Sequence, residues 1–297
     1  MRAWLRHHPE LFSLAGLLAV GLTLTFVSDR FLTLENLGNI DRQVSINAII
    51  ATGMTLVIIT GGIDLSVGAV MTLAMTFGAG AMLAGAPVAG GIAISLLTGL
   101  ACGALNGALI AYVGLPAIIV TLATMEIPRG VALLYTGGYP LTGLPSQFSP
   151  VGRGEVFGVH VPTWIMFGTV IGGHVLLTRF VAGRALYAIG GNAEAARLSG
   201  VPVRRYTVLA YTLSGLTAAL AGVVLSSRLM SGQPNAGVGF ELDAIAAVVL
   251  GGTAIAGGRG SIAGTLIGAM LLGVLNNGLN LMNVSPYTQK ILKGAII

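Results

Sequence analysis

Residue types that commonly carry catalysis are scarce in this chain, and their spacing predicts no catalytic centre. Its four histidines are His7, His8, His160 and His174. They show no metal-ligand spacing, and no Ser-His-acid or Cys-His arrangement can be argued, so neither a metal site nor a nucleophile is predicted. The only lysines are Lys290 and Lys293, and no G-x-x-x-x-G-K-[ST] string occurs, which excludes a phosphate-binding loop for ATP. The single cysteine, Cys102, excludes an intramolecular disulfide.

Asp64 and a set of asparagines stand out because they lie within apolar stretches. Asp64 is the only acid between Asp41 and Glu126; it follows a Gly-Gly turn and precedes an apolar run. This position suits either a cap on the next helix or a broken-helix turn that lines a pathway or gate. For the asparagines the alternatives are a bond between helices and a place on the pathway. The pathway or gate candidates are Asn47, Asp64, Asn106, Asn276, Asn277 and Asn280.

Two pairs of charged residues border or interrupt apolar runs. Glu126 and Arg129 are three positions apart, so on a helix they share a face and are predicted to form an intramembrane ion pair. Glu241 and Asp243 precede an apolar run and suit a helix N-terminus, where the helix dipole favours negative charge. The alternative role for Glu241 and Asp243 is docking of a partner protein at the outer face.

The composition shows what must position these residues. Hydrophobic residues make up 55% of the 297 residues, charged residues only 8%, and the mean hydropathy is +0.89. A soluble domain carries roughly 25% charged residues. Residues 65–125 contain no acid, base or histidine, which is enough chain for about three spans of about 20 residues each. Backbone groups in hydrocarbon must be paired within the chain, as helices do, so an all-α polytopic membrane helix bundle is predicted.

The pattern predicts about ten transmembrane helices in a single domain, residues 1–297. The predicted spans are 11–27, 44–60, 65–82, 88–113, 116–135, 162–178, 206–227, 244–256, 262–282 and 287 onward. The chain stops at Ile297, about 11 residues past Tyr287, which is too short to cross, so the last helix is predicted to be truncated.

Arginine placement predicts the orientation. With a cytoplasmic N-terminus, more basic residues fall on the inner side, and several of them lie in one loop at about 181–205. The longest outer loop, at about 136–161, is rich in glycine and proline and nearly neutral. The net charge of +5 is therefore assigned to membrane orientation, since the scattered basic residues form no stripe typical of nucleic-acid binding.

The cytoplasmic segment 183–205 predicts a loop with one short helix. A Gly-Gly pair breaks the preceding structure, and the side chain of Asn192 can cap the first turn of a helix over 192–198. Gly200 and Pro202 then stop it. A short exposed helix between two spans suits docking of a soluble partner; the alternative is a plain surface connector.

This segment resembles a known signature. The string E-A-A-R-L-S-G at 194–200 is similar to the E-A-A-x-x-x-G signature of ABC importer permeases, although the later I-x-L-P of the classical form is absent. Residues 183–200 more closely resemble the G-R-x-x-x-A-I-G-G-N-x-x-A-A-R-L-S-G string of the monosaccharide (ribose-type) permeases. Further similar strings are G-G-I-D-L-S-V-G (61–68), N-G-x-L-I-A (106–111), T-L-A-T-M (121–125), R-G (129–130), Q-P-N-A-G (233–237), E-L-D-A-I-A-A-V-V-L-G-G-T (241–253) and L-N-N-G-L-N-L (275–281).

The resemblance implies a permease subunit in a bacterial inner membrane, with no enzyme activity or cofactor of its own. Its implied partners are a second permease subunit, cytoplasmic ATPases that bind ATP and Mg, and an extracytoplasmic sugar-binding protein. The ATPase-coupling residues it implies are Gly183, Arg184, Gly190, Gly191, Asn192, Glu194, Ala195, Ala196, Arg197 and Gly200. A neutral, hydroxyl-rich sugar needs hydrogen-bonding amides along its route, which the asparagine set offers.

Other functions stay open at this point. An ATP-independent channel or secondary carrier would transport solute alone, although intramembrane charge is too sparse for a proton relay. An ABC permease for a non-sugar solute, such as a quorum signal, would use the same architecture. A non-transporting membrane scaffold would show no flux.

Overall fold

The computed structural model describes residues 10–296. The arginines near the N-terminus that bear on orientation, together with His7 and His8, lie outside the described residues. The α-helices, numbered in chain order, are α1 (Glu10–Val27), α2 (Leu34–Ile59), α3 (Val67–Leu83), α4 (Val88–Ala108, continued by a π-helical turn at Leu109–Val113), α5 (Ala117–Thr136), α6 (Ser149–Arg153), α7 (Val161–Arg179), α8 (Val181–Gly191), α9 (Ala193–Leu198), α10 (Val203–Leu229), α11 (Phe240–Leu250), α12 (Ile262–Leu281) and α13 (Pro286–Ile296).

The remaining regular elements are short and lie mostly in the predicted outer loop. They are a 3₁₀ turn (Ser146–Phe148) and four two-residue strands, β1 (Leu141–Thr142), β2 (Glu155–Val156), β3 (Val159–His160) and β4 (Ser231–Gly232). β1 pairs antiparallel with β4, and β2 pairs antiparallel with β3. The loop before α7 is thus tied to the segment after α10.

The prediction of an all-α membrane bundle is confirmed. Six helices of the described chain are long and apolar enough to cross a bilayer: α2, α4 with its π-helical turn, α5, α7, α10 and α12. Two shorter apolar helices, Leu11–Val27 within α1 and Val67–Leu83, accompany them.

The predicted span at 244–256 is wrong in its extent. The helix there is α11, and its 11 residues reach only about 16 Å at 1.5 Å per residue, against about 30 Å of hydrocarbon. It ends at a glycine pair, Gly251 as C-cap and Gly252 with a φ of 87°, which turns the chain out of the helix. The apolar run continues past this turn, so hydropathy alone did not show where the helix stops.

Helix α2 is the centre of the bundle. Its most apolar window is 89% buried, and it packs against α7, α10, α11 and α12. Thr33 caps its first turn by accepting a hydrogen bond from the amide of Asn36. Two polar contacts join α2 to α12: the amides of Asn36 and Asn277 bond each other, and the hydroxyls of Thr55 and Thr265 lie 2.7 Å apart.

Glycines repeated every four positions allow close helix contacts within the subunit. On α4, a side chain at Gly99 or Gly103 would meet the backbone carbonyls of Gly215 and Tyr211 on α10. On α12, Gly264 and Gly268 lie in the same way against the end of α11. Small residues at this spacing let neighbouring backbones approach closely. The glycines of α4 and α12 therefore allow close packing between helices of this chain.

Candidate functional site

The short helix α9 has the geometry predicted for residues 192–200. The Asn192 side chain accepts a hydrogen bond from the Ala195 amide at 2.9 Å, and Gly200, with a φ of 84°, follows the helix end. Arg197 Nε donates to Glu194 Oε2 at 3.0 Å, and the hydrogen bond from Arg197 lowers the pKa of Glu194 below its usual range. Both side chains are exposed.

Upstream of α9 the structure corrects the prediction of a loop with one helix. Residues 181–191 form α8, and the Gly190-Gly191 pair marks its end. Ala196 is buried on the inner face of α9, whereas Glu194, Ala195 and Arg197 face outward. Arg184 of α8 and Gly200 line a groove of about 340 Å³ beside the start of α10. Two consecutive helices thus present one exposed, polar tip.

The α8–α9 unit is fixed to the end of α2. A side chain at Gly190 would collide with the Ile59 carbonyl oxygen and the Gly258 amide, and that amide donates to the Ile59 carbonyl at 2.9 Å. Tyr187 donates its hydroxyl to the Gly260 carbonyl at 2.7 Å. Gly183, at the other end of α8, packs against the last turn of α7. Movement of α9 would therefore reach α2 through α8, whose Gly190 lies against the backbone at the end of α2.

Asp64 and Asn106 meet in a buried polar cluster between α2 and α3. Asp64 accepts hydrogen bonds from the Ser66 amide and hydroxyl at 3.0 and 2.6 Å, and from the Ser214 hydroxyl at 2.8 Å. Asn106 donates to the Ser66 hydroxyl at 2.9 Å, while its Oδ1 has no partner among the described residues. The carboxylate is thus fully engaged at the start of α3. This cluster joins α3, α4 and α10 near the end of the bundle that carries α8 and α9.

Three of the other asparagines line a polar cleft at the opposite end. The cleft holds about 320 Å³ and is bordered by α2, α10, α11, α12 and α13. Its lining residues are Gln43, Ile46, Asn47, Leu225, Arg228, Phe240, Asp243, Asn276, Asn280 and Gln289. Asn280 accepts a hydrogen bond from Gln289 at 2.8 Å. Asn276 is buried, and its Oδ1 has no hydrogen-bond partner among the described residues.

Asn277 is separate from this cleft. Its Nδ2 donates to Asn36 Oδ1 at 2.7 Å and its Oδ1 accepts from Asn36 Nδ2 at 3.0 Å. Both side chains are buried. The pair satisfies two amides across the α2–α12 contact, which is the helix-bonding role rather than the pathway role.

Comparison with known proteins agrees with this architecture. Residues 36–297 match the family described as branched-chain amino acid transport system / permease component. The chain belongs to this permease family. It is 47% identical to the ribose import permease protein RbsC of Escherichia coli (strain K12), over all of this chain and 92% of the relative. It is 48% identical to RbsC of Bacillus subtilis (strain 168), over 95% and 88% of the two chains.

A more distant relative is the xylose transport system permease protein XylH of Escherichia coli (strain K12), 35% identical over 96% of this permease and 88% of XylH. The predicted resemblance to ABC importer permeases is confirmed, and the permease is a multi-pass bacterial inner-membrane protein. Such a permease component is not itself an enzyme: an ATPase in a separate subunit and a binding protein are its partners.

The acids of α11 do not form an exposed docking pair. Glu241 is buried and accepts hydrogen bonds from the Gly239 amide at 3.2 and 3.3 Å, so it holds the first turn of its own helix. Its carboxylate also packs against Gly68 of α3. Asp243 faces the polar cleft. Glu241 thus takes the helix N-terminus role, while docking by Asp243 stays a prediction.

Glu126 and Arg129 lie together on α5 as their spacing predicted. Arg129 NH1 is 3.3 Å from Glu126 Oε1, and 68% of the Glu126 side chain is exposed on the outside of the bundle, against 22% for Arg129. Pro128 lies within the same helix. Neither residue lines the cleft or the groove beside α8 and α9.

A second polar region, which no pattern in the sequence predicted, lies beside the cleft. Arg42, Arg153 and Arg228 line one open hollow together with Gly152, although they are far apart in the chain. His160 lies next to it, 3.0 Å from Asp41 Oδ2 through Nδ1. Only the folded chain brings these groups together, and no spacing or motif in the sequence signals their proximity.

Proposed function

We propose that this chain is the membrane-spanning permease subunit of an ATP-driven, binding-protein-dependent importer for a ribose-like monosaccharide. The observation that carries the proposal is the α8–α9 unit. In it α9 is an exposed, capped helix, and the preceding helix α8 contacts the end of the central helix α2. The relatives named for ribose and xylose import support the substrate class. ATP and Mg are assigned to the ATPase partner.

Helix α2 gives this proposal a mechanical route. Ile59, its last residue, touches α8 through Gly190, while Gln43 and Asn47, near its middle, line the polar cleft. Asn47 and Ile59 are about 18 Å apart along the helix axis. Closure of the ATPases would push α9, shift α8 against the end of α2, and change the cleft at the other end. A long, buried helix transmits such a displacement with little bending.

The amides of the cleft suit a neutral polyol. Asn276 offers an unpaired carbonyl oxygen, and Asn47 and Asn280 offer further amide groups that can donate to and accept from hydroxyls. A buried polar atom without a partner costs free energy that a bound hydroxyl would recover. Asn47, Asn276 and Asn280 are therefore proposed to contact the sugar, and the Asp64–Asn106 cluster to hold the inner end of the route closed.

The membrane arrangement is part of the proposal. About ten spans, a cytoplasmic N-terminus, a cytoplasmic coupling loop at 181–205 and an extracytoplasmic loop at 136–161 place α9 on the ATPase side. Two permease subunits, identical or different, would form the complete pathway as in the resembled importers. Their stoichiometry is testable by mass measurement of the purified complex.

Uptake by reconstituted vesicles tests the function. The permease, its ATPase and its binding protein should import radiolabelled ribose only when ATP is supplied on the side of the membrane that carries the ATPase. Uptake rates for a panel of pentoses and hexoses should rank the substrates. Uptake by the permease alone, driven by a gradient, would instead favour the channel or carrier alternative.

A double variant of α9 tests whether this helix couples ATP hydrolysis to uptake. Glu194→Ala combined with Arg197→Ala removes an exposed ion pair, so folding should change little, whereas ATP-driven uptake should fall at least about tenfold. Arg205→Ala, an exposed change on the same loop but outside α9, serves as the control. Normal coupling in the double variant would refute the assignment of α9.

A further inference from the structure

Three arginines converge on one hollow at the end of the bundle that carries the cleft. Arg42 comes from α2, Arg153 from the end of α6 and Arg228 from the last turn of α10. Together with Gly152 they enclose about 300 Å³ that is open to the surface. Arg153 is exposed, while Arg42 and Arg228 are half-buried. Three like charges at one place repel each other, so their grouping is costly unless a negative group binds there.

Hydrogen-bonding groups on neighbouring segments hold the guanidiniums of Arg42 and Arg153 in place. Arg153 Nε donates to the Arg228 carbonyl at 2.7 Å. Arg42 donates to Asn39 Oδ1 at 2.7 Å, and its other terminal nitrogen lies 3.0 Å from His160 Nε2. These contacts fix the positions of Arg42 and Arg153 without placing a carboxylate directly on either guanidinium.

Two acids beside the hollow, Asp41 and Glu155, contact His160. Asp41 Oδ2 lies 3.0 Å from His160 Nδ1 and also accepts the Thr163 hydroxyl, and Glu155 lies 3.3 Å from His160 Nε2. Among the described residues, no carboxylate forms an ion pair with Arg42, Arg153 or Arg228. The three guanidiniums therefore have no direct carboxylate partner among the described residues, although Asp41 and Glu155 lie beside His160 and Asp243 shares the cleft with Arg228.

The position of the pocket indicates what it could receive. Arg42 precedes Ile59 by about 26 Å along α2, so the pocket lies at the opposite end of the bundle from the α8–α9 unit. Arg228 lines both the pocket and the polar cleft. A protein seated on the three arginines would thus cover the cleft at its Arg228 side.

We propose that Arg42, Arg153 and Arg228 form the docking pocket for a carboxylate side chain of the substrate-binding protein. The inference rests on the proposed function and its orientation, and adds the residues and the chemistry of docking. Guanidinium groups pair with carboxylates through two parallel hydrogen bonds, which gives orientation as well as attraction. A recessed pocket suits a protruding Asp or Glu side chain, and the adjacent cleft is where a delivered sugar would enter.

The test is binding of the sugar-loaded binding protein to the permease–ATPase complex in nanodiscs of uncharged lipid. Arg153→Glu should weaken binding at least about tenfold and flatten its salt dependence, since charge pairs at an interface govern encounter and register. Arg30→Glu, an exposed change before α2 and outside the pocket, is the matched control and should stay within about twofold of wild type.

Two further measurements exclude a folding defect and a different ligand. Arg153→Gln should give an intermediate loss of binding and an intermediate loss of the ATPase stimulation that the binding protein causes. An acid-to-lysine change on the binding protein that restores binding to Arg153→Glu would identify the partner carboxylate. A defect seen only in nanodiscs with anionic lipid would overturn the proposal in favour of a lipid headgroup site.

The failures of the two proposals are distinguishable. If Arg153→Glu and Arg42→Gln bind the binding protein as wild type does, while uptake still requires that protein, the docking pocket is refuted and the importer stands. If wild-type uptake proceeds without the binding protein, the proposed function itself fails.

Discussion

Neighbouring residues on one helix turn carry different roles in this permease. Asn276 and Asn277 are adjacent in the same Leu-Asn-rich string, and both are buried. Successive helical residues point about 100° apart, so one amide faces the cleft and the other faces α2. The sequence predicted that both amides lie inside the bundle, but which of them meets a partner depends on the rotation of α12 against its neighbours.

This difference predicts opposite phenotypes. Asn277→Ala leaves the buried Asn36 amide without its partner and should lower the free energy of unfolding by about 1–3 kcal/mol, with uptake per folded molecule retained. Asn276→Ala removes an unpaired oxygen, so stability should change little while sugar uptake falls. Thermal unfolding in detergent and uptake normalised to folded protein measure the two effects. The reverse pattern would remove Asn276 from the proposed route.

Asp64 makes one bond that its local sequence predicts and one that it does not. The sequence left a helix cap and a gate as alternatives, but the carboxylate accepts the amide of Ser66, two residues on, and so forms an Asx turn just before α3 rather than a cap on its first turn. It also reaches Ser214 on α10, a contact across 150 positions of sequence. A local rule predicts the first bond. The second needs the packing of α10 beside α3, which no local pattern specifies.

At the scale of elements, the capping of α9 was predictable from the sequence, but the contact of α8 with α2 was not. Asn192 and the short helix after it were predicted from residue types, and the structure has both. The helix α8 was missed because its glycines indicated a break. Gly190 instead lies where α8 touches the backbone of α2 and the loop after α11, a close approach that only glycine allows.

The glycine pair provides a sharp comparison. Gly190→Ala places a methyl group against the Ile59 carbonyl and should displace α8, lowering both stability and the coupling of ATP hydrolysis to uptake. Gly191→Ala adds the same group where no atom lies within 4 Å, so it should resemble wild type. The ratio of sugar imported to ATP hydrolysed in vesicles is the measurement. Equal ratios in the two variants would contradict transmission through this contact.

Helix α5 carries a charge pair whose value depends on the bilayer. Glu126→Ala alone leaves Arg129 without its partner in a charge-poor helix, a change that costs several kcal/mol when the charge faces hydrocarbon. The double variant, with Arg129→Ala added, removes both charges and should yield more folded protein than the single variant. Size-exclusion profiles of matched membrane extracts report that yield. Equal yields would show that the pair does not stabilise the helix.

At the scale of the whole molecule, composition predicted the class of fold, and packing decided its details. Charge-free stretches were sufficient to predict a helical membrane bundle, and six described helices are long enough to cross. The count of about ten stays a prediction, because α11 stops at Gly251 although its apolar run continues. The arginine pocket could not be predicted, since its members come from three distant segments.

The orientation of the whole chain decides whether these sites act as proposed. In a Cys102→Ala background, which removes the only native thiol, single cysteines can report sidedness. Arg153→Cys should react with a membrane-impermeant maleimide added outside the inner membrane, whereas Ala195→Cys should react only once the cytoplasmic face is opened. Both positions are exposed, so failure to label reflects the membrane rather than burial. If Ala195→Cys is labelled from outside, α9 lies on the face opposite to ATP and cannot contact the ATPase. If the two variants are labelled from opposite faces, a displacement of α9 must be transmitted across the bilayer to change the cleft.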